Sequence, residues 1–430
     1  MKIAIKILLL TIGVSAFFID LRADTITHMQ YNLLYYTNNG VEGCNEMTNN
    51  LDAKDANLKK IVKYVQPDVL TVNEIGKESS YADRILYTVL NTDGVNYYGY
   101  CPVVSNPSSY ITIGNRLFYD TRKLALKSSF YVPTSVGYFN AYRMYYRSEG
   151  LSHGDTAFIT FIVCHLKAGS YDDNEEARYT QVQALMNRLE SIGVADNYVL
   201  SGDMNLYTAE EAAYQHLIHN NNSMIRFFDP LDQEGAWGSN YNYRFLHTQS
   251  THNNGADCFS SGGMDDRFDL ILVSGNIYYN LNKVQSLNET YHALGQDGNH
   301  FNSSLIESSN SAVPANIATA LYNMSDHLPV IMQYEIDASL SLADLELPKW
   351  NIFVENPVSD RLQISIDNPQ NDIFTIEIFS IEGRLLYHSN QSFQSGKNNI
   401  SLNFTFTPSV YLLKISDSQH HSILKKLVKF

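Results

Sequence analysis

Cysteine is scarce in this chain of 430 residues. Only Cys44, Cys101, Cys164 and Cys258 occur, with no Cys-x-x-Cys spacing, which argues against a thiolate zinc site. In an exported chain these residues can form a disulfide, although spacing alone does not give the pairing. Cys164 lies inside an apolar run and reads as a buried thiol. Positive charge is scarce as well: 30 Lys and Arg stand against 45 Asp and Glu, for a net charge of −15. No basic stripe is present that could release many counterions from a nucleic acid, so any polyphosphate partner needs local help from a cation. Long apolar runs are also missing. The longest candidate, 7–19, is too short to cross a bilayer comfortably. With 44% hydrophobic and 17% charged residues, the chain is nevertheless a globular one that can bury a real core, and disorder is not the reading.

Residues 1–23 have the layout of a secretory signal peptide. Lys2 and Lys6 precede the apolar run, and Leu21-Arg22-Ala23 offers a small-residue cleavage site. An anchoring helix that stays attached is the competing reading. Removal of the segment takes away three cations and one anion, moves the net charge to −17, and leaves no stable membrane span in the mature protein.

Several apolar runs end in polar residues. The run 26–32 alternates as a strand does and closes on Asn32, which can hold a metal-bound water or a carboxylate. Helical spacing over 57–65 stops at Pro67. The run Val69-Leu70-Thr71-Val72-Asn73-Glu74 then ends in a glutamate, which is costly at the end of a buried strand unless paired or bound to a cation. The most apolar strand of the mature chain, 157–164, runs directly into His165, a residue that can donate to a phosphoryl oxygen or leaving group. A helix over 174–192 leads to Val199-Leu200-Ser201-Gly202-Asp203-Met204-Asn205, a buried strand that delivers a carboxylate and a carboxamide to one sheet rim.

The following stretch, 207–264, reads as a short helix (209–217) and a long excursion of the kind that shapes a binding surface. Trp237, Tyr241, Tyr243 and His247 are its candidates. Asp269 opens another apolar strand, 286–322 looks like loop, and Ser325-Asp326-His327 precedes a β-branched run. An Asp-His pair there suits metal binding, or half of an acid-base pair oriented by a second carboxylate.

Six motifs in order, Tyr31-Asn32, Val72-Asn73-Glu74, His165-Leu166, Gly202-Asp203-Met204-Asn205, Arg267-Phe268-Asp269 and Ser325-Asp326-His327, give residues 26–335 a resemblance to the endonuclease/exonuclease/phosphatase superfamily. The resemblance implies a four-layered α/β sandwich, two packed mixed sheets flanked by helices, with the site along one rim. It implies that Glu74 binds a divalent cation with Asn32 beside it and that Asp326 is a further metal or phosphate-side ligand. His327 would activate or orient water, held in its tautomer by Asp269. Asp203 and Asn205 would position the nucleophile and the phosphate, and His165 would contact the scissile phosphate or leaving group. Hard oxygen ligands suit Mg²⁺, with Mn²⁺ or Ca²⁺ as substitutes. Arg143 is the candidate for an additional phosphate contact, and Arg147 competes with it.

After Tyr334 the composition changes. Residues 339–349 read as a linker between a catalytic domain (24–338) and a small β-sandwich (350–430) of short strands separated by turns, one of them at Glu382-Gly383. Without further information an accessory module, such as a carbohydrate-binding one, fits the pattern. Asn356-Pro357-Val358-Ser359-Asp360, Ile381-Glu382-Gly383-Arg384, Val410-Tyr411-Leu412 and the basic tail 425–429 resemble the C-terminal sorting domain of the type IX secretion system. Ser409-Val410 replaces the usual Gly before the late Tyr. That resemblance implies passage through the periplasm to the cell surface or medium, with the type IX machinery as partner.

Three functions follow. The first is a secreted metal-dependent endonuclease acting on DNA or RNA. The second is a sphingomyelinase-like or inositol-phosphate hydrolase on the same scaffold, and the third a surface binding protein without turnover, against which the complete motif set counts.

Overall fold

The computed structural model describes residues 24–38, 40, 44–102, 112–148, 151, 156–255, 258–337, 350–381, 384–418 and 422–429. The expected signal peptide, the linker 339–349 and the turn Glu382-Gly383 lie outside the described residues. The chain divides into two compact units, Met1–Ser339 and Leu340–Phe430.

In the first unit, β1 (Asp24–Tyr36), α1 (Leu51–Val65), β2 (Val69–Gly76), α2 (Ser79–Ile85), β3 (Tyr98–Tyr100) and β4 (Ile113–Asp120) are followed by β5 (Leu124–Thr134), β6 (Gly137–Tyr146), β7 (Phe158–His165) and α3 (Asp172–Ile192). Next come β8 (Tyr198–Asp203), α4 (Ala212–Ile218), β9 (Phe227–Phe228), β10 (Asp269–Ser274), α5 (Gly275–Tyr278), β11 (Val284–Ala293), α6 (Ala315–Met324) and β12 (Val330–Ile336). Two six-stranded mixed sheets result, ordered β11-β12-β1-β2-β4-β3 and β5-β6-β7-β8-β10-β9. Each holds one parallel pair at its centre, β1 with β2 and β7 with β8. Each pair is joined by a crossover helix, α1 or α3, as parallel neighbours require.

Strand periodicity sorts the core into layers. Val69, Phe161, Val163, Val199, Ile271 and Val273 meet between the two sheets. Their sequence neighbours Leu70 and Val72 pack outward with α1 and α6, while Ile162, Leu200, Leu270 and Leu272 pack outward with α3 and α4. Side chains of period two thus feed two faces at once, and a helix/sheet/sheet/helix sandwich follows.

Several boundaries differ from the sequence reading. Helix α1 starts six residues earlier than expected, because Asn50 Oδ1 caps it by accepting from the Ala53 N–H at 2.9 Å. The stretch read as loop over 286–322 contains most of β11 and most of α6. Strand β11 is a half-exposed strand at the end of its sheet, so its Ser and Asn hide the pattern. In α6 the buried set Ile317, Ala318, Leu321 and Met324 does carry helical spacing, in a segment short enough to be masked by its Ser-rich surroundings.

The second unit has β13 (Asn351–Val354), β14 (Arg361–Asn368), β15 (Asp372–Ser380), β16 (Leu385–Phe393), β17 (Gly396–Asn403), β18 (Ser409–Ser416) and β19 (Ser422–Lys429). They form antiparallel sheets β13-β14-β17 and β16-β15-β18-β19. Leu362, Ile364, Ile366, Phe374, Ile376, Ile378, Leu413 and Ile415 alternate into one core. The basic tail is the edge strand β19, its lysines suited to an edge.

Gly202 sits at a tightly packed point of the first unit. It sits at φ +154° opposite Cys164, and a Cβ there would stand 1.8 Å from the Cys164 carbonyl oxygen. Gly202→Ala should therefore lower stability by about 3 kcal/mol or more. A thermal unfolding midpoint equal to that of the parent protein would contradict this packing account.

Candidate active site

The two parallel strand pairs end at the same rim. Asn32 and Glu74 come from β1 and β2, and His165 and Asp203 from β7 and β8, where they are directly paired in register. Asp269 opens β10 opposite Asp203. Both β1 and β2 break register just there, between Asn32 and Tyr36 and between Val72 and Ile75. Such irregularities re-aim side chains beside active sites. Glu74 and Asn205 hold φ of +57° and +50°, an uncommon conformation for residues with a Cβ.

Glu74 is 8% exposed, with Oε2 accepting from the Tyr35 N–H at 2.9 Å. Its Oε1 and Asp203 Oδ2 each lie 3.0 Å from Asn32 Nδ2. Asn32 Oδ1 accepts from the Leu34 N–H. The amide nitrogen therefore faces the carboxylates, and in this orientation Asn32 holds Glu74 and Asp203, the second of the two roles expected for it, without presenting an oxygen to a cation. His165 Nε2 stands 3.7 Å from Glu74 Oε1 and 3.5 Å from Asp203 Oδ2. Glu74, His165 and Asp203 each bring a ligand atom into one group spanning 4.8 Å. His165 and Asp203 thus sit among potential metal ligands rather than only beside the phosphate.

His327 and Asp269 form a buried pair, Nδ1 to Oδ2 at 2.6 Å. The other ring nitrogen, Nε2, lies 3.7 Å from Asp203 Oδ2 and 2.8 Å from the side-chain amide of Gln249. Burial opposes a charge on this ring, but Asp269 and Asp203 outweigh it and hold the imidazolium well above its usual range. Burial pushes Asp203 the other way, up to about 6, against the pull of His327 and His165.

Asp326 lies behind His327. Its Oδ2 accepts from Gln249 Nε2 at 3.2 Å and from the Ser260 N–H at 3.1 Å. It is not in the group of Glu74, His165 and Asp203, and it meets His327 through their shared neighbour Gln249. Asn205 spends its Nδ2 on the Leu166 carbonyl at 3.2 Å. Arg143 is elsewhere. It pairs with Thr160 on β7, five residues and about 16 Å from His165 along the strand. There it meets Asp196 at 3.3 Å and covers Phe158. Arg147 follows just past the end of β6, farther still from the rim. Antiparallel pairing runs this part of β6 away from the rim, so Arg143 does not join Glu74, His165 and Asp203 there.

Trp237 and His247, expected at a binding surface, are fully buried. Trp237 lies under Arg267, which pairs with Asp229 at 2.8 Å. The excursion's contribution is instead Gln249, joined by Thr248, whose hydroxyl accepts from the Asp269 N–H at 3.1 Å. No local pattern marks either residue. Lys54 was also unforeseen. It is buried on α1, donates to the Met324 carbonyl at 2.7 Å, and is pushed down to about 7 by burial despite Asp326 and Glu74. A disulfide joins Cys44 to Cys258, and Cys101 and Cys164 are buried thiols.

Residues 356–429 match the family model described as the secretion system C-terminal sorting domain. The second unit is a sorting domain. No curated protein matches the chain at a significant level. Among solved structures, an endonuclease/exonuclease/phosphatase from Beutenbergia cavernae DSM 12333 is similar at 12% identity and TM-score 0.40, over 94% of this chain and 100% of that one. The human Nocturnin catalytic domain is similar at 17% identity and TM-score 0.43, over 73% and 97%. Staphylococcus aureus beta toxin is similar at 12% identity and TM-score 0.42, over 71% and 99%. At these scores none of them assigns an activity to the chain. Beside the sorting domain, no described helix is long and apolar enough to cross a membrane.

The buried charges set a pH dependence. Asp203 and His327 both bind protons more tightly folded than unfolded, so each contributes stability at low pH that is lost as pH rises through its folded value. Without divalent cations, Asp203→Asn should raise the thermal midpoint by a few degrees at pH 7.5, and the gap to the parent protein should widen between pH 5 and 8. A gap that is constant or shrinks over that range would show the Asp203 carboxylate to be otherwise compensated.

Proposed function

We propose that residues 24–338 form an exported phosphodiesterase dependent on a divalent cation, acting as an endonuclease on DNA or RNA. One observation carries this reading: Glu74, Asp203 and His165 bring two carboxylates and an imidazole within 4.8 Å, next to the His327–Asp269 pair. The donor set fits the cation. Two buried carboxylates this close repel each other, and burial raises Asp203 as it does a carboxylate short of positive charge. Oxygen ligands favour Mg²⁺, and the imidazole admits Mn²⁺. When bound, the cation supplies charge neutralisation at the phosphoryl oxygens.

The chain's own residues do the rest. Asp269 fixes the tautomer and direction of His327, leaving Nε2 to exchange a proton with the attacking water or the ester oxygen. Gln249 Nε2, an amide donor 2.8 Å from His327 Nε2, favours the ring with Nε2 unprotonated, while Asp269 and Asp203 favour the cation. Gln249 bridges Asp326 and His327 and holds that ring from the side opposite Asp269. Asn32 steadies Glu74, and Asn205 Oδ1, which makes no hydrogen bond among the described residues, is the free polar atom beside Asp203.

The sorting domain supports export by the type IX route, through the periplasm to the surface or medium, in keeping with the signal-peptide layout of residues 1–23.

With Mg²⁺ or Mn²⁺ the mature protein should nick plasmid DNA or cleave RNA, and EDTA should abolish the reaction. His327→Ala and Glu74→Gln should each lower turnover by about 10³-fold or more. Sphingomyelin or inositol-phosphate hydrolysis without nucleic-acid cleavage would replace the nuclease reading with the lipid-type one, and turnover that survives both substitutions would remove the site.

A further inference from the structure

The excursion that brings Gln249 to His327 also carries an aromatic cluster on its outer side. Tyr241 and Phe245 are 57% and 55% exposed. The Arg244 guanidinium lies 4.1 Å from the centre of the Tyr241 ring and 4.4 Å from that of Phe245. Arg244 is the only Lys or Arg between Arg226 and Arg267, a stretch that contains six Asp and Glu. Among the described residues it forms no ion pair; its hydrogen bond is to the Tyr241 carbonyl at 3.1 Å. A lone cation in an acidic loop is thus kept flat against two rings instead of being neutralised.

The rings are braced. Tyr241 meets Phe301 edge-on at 5.5 Å, and Phe245 lies over Gly298, where a Cβ would come within 2.2 Å of its ring. Of the cluster, Phe245 shares a cavity wall with a site residue. Phe245, Thr248 and Asp269 line one cavity of about 200 Å³, and four residues, at most about 14 Å of extended chain, separate Phe245 from Gln249.

We propose that Tyr241, Arg244 and Phe245 form a stacking platform for unpaired bases of a nucleic-acid strand whose phosphodiester enters the site, so that the enzyme prefers single-stranded or frayed substrate to intact duplex. This rests on the nuclease reading above and names its substrate class. The chemistry is complementary: every base offers a π face to the rings, and the guanidinium adds a cation for the base or an adjacent phosphate. In a duplex those faces are already stacked. A lipid surface is the poorer occupant, because the same segment would have to immerse the exposed Asn242 and the charge of Arg244 along with its rings.

The test uses mature protein carrying His327→Ala, so that binding is read without turnover. Anisotropy of a labelled 12-nucleotide poly(dT) and of a blunt 12-base-pair duplex is titrated in Mg²⁺, alongside flotation with sphingomyelin/phosphatidylcholine vesicles. The expected result is tighter binding of the single strand. Tyr241→Ala with Phe245→Ala should weaken it at least tenfold and Arg244→Ala about threefold or more, while Tyr87→Ala, an equally exposed ring on another element, changes nothing. Unfolding midpoints establish that the variants are folded. Unchanged oligonucleotide affinity in the double variant, equal affinity for duplex, or loss of vesicle binding in place of oligonucleotide binding would each overturn the platform. Intact stacking behaviour in a parent protein that hydrolyses no phosphodiester would instead sink the catalytic reading and leave the platform standing.

Discussion

A single carboxamide holds the two halves of the site in register. Asn73, on β2 of the first sheet, donates to the Cys164 carbonyl of β7 at 2.7 Å and to Asn115 of β4 at 2.8 Å. Its oxygen accepts from the Asp203 N–H at 3.1 Å and from Gln30. Two donors and two acceptor positions are all an amide has, and all four are used. Glu74 is the next residue on one strand, and Asp203 and His165 end the two strands it grips on the other. A contact between sheets made only of apolar side chains would tolerate sliding. A buried amide with every bond made does not, because any slip strands a polar group away from water.

The same interior explains the electrostatic character of the rim. Glu74, Asp203, Asp269 and Asp326 are all at most 8% exposed, and Asp269 Oδ1 and Asp326 Oδ1 have no hydrogen-bond partner among the described residues. Against them stand His327, the half-buried His165 and the buried Lys54. Like charges kept this close and this dry are unfavourable for folding alone. Such an arrangement is what a cation site needs, since the ion then gains the field that the fold has assembled. On the proposed function it would also reconcile a net charge of −15 with a polyanionic substrate, since attraction would then be local, at a bound cation and at Arg244, rather than spread over a basic face.

Much of this was legible along the chain. Alternation and apolar runs located the strands that carry Asn32, Glu74, His165 and Asp203 at or near their ends, because period-two patterning is a local property. The short strands of the sorting domain were legible for the same reason. Helix α6 and strand β11 were not, as Ser- and Asn-rich surroundings diluted their patterns. Arg143 misled because strand direction is not written in residue order: β6 runs antiparallel to β7 and carries its arginine away from His165. Gln249, Thr248 and Lys54 had no local signal at all, since each reaches the site across tens to hundreds of residues of sequence separation.

What the sequence determined by itself was therefore the inventory: which strands are buried, which of them end in an acid, an amide or an imidazole, and that a β-rich sorting segment follows a composition change. Only the tertiary structure decided the grouping. It joined Cys44 to Cys258, set His165 with Glu74 and Asp203, moved Asp326 behind His327, and buried Trp237 while leaving Tyr241 and Phe245 outside. Periodicity acts over a few residues through backbone geometry, whereas convergence at the rim depends on sheet register and on buried hydrogen bonds between strands far apart in the chain, which no local pattern encodes.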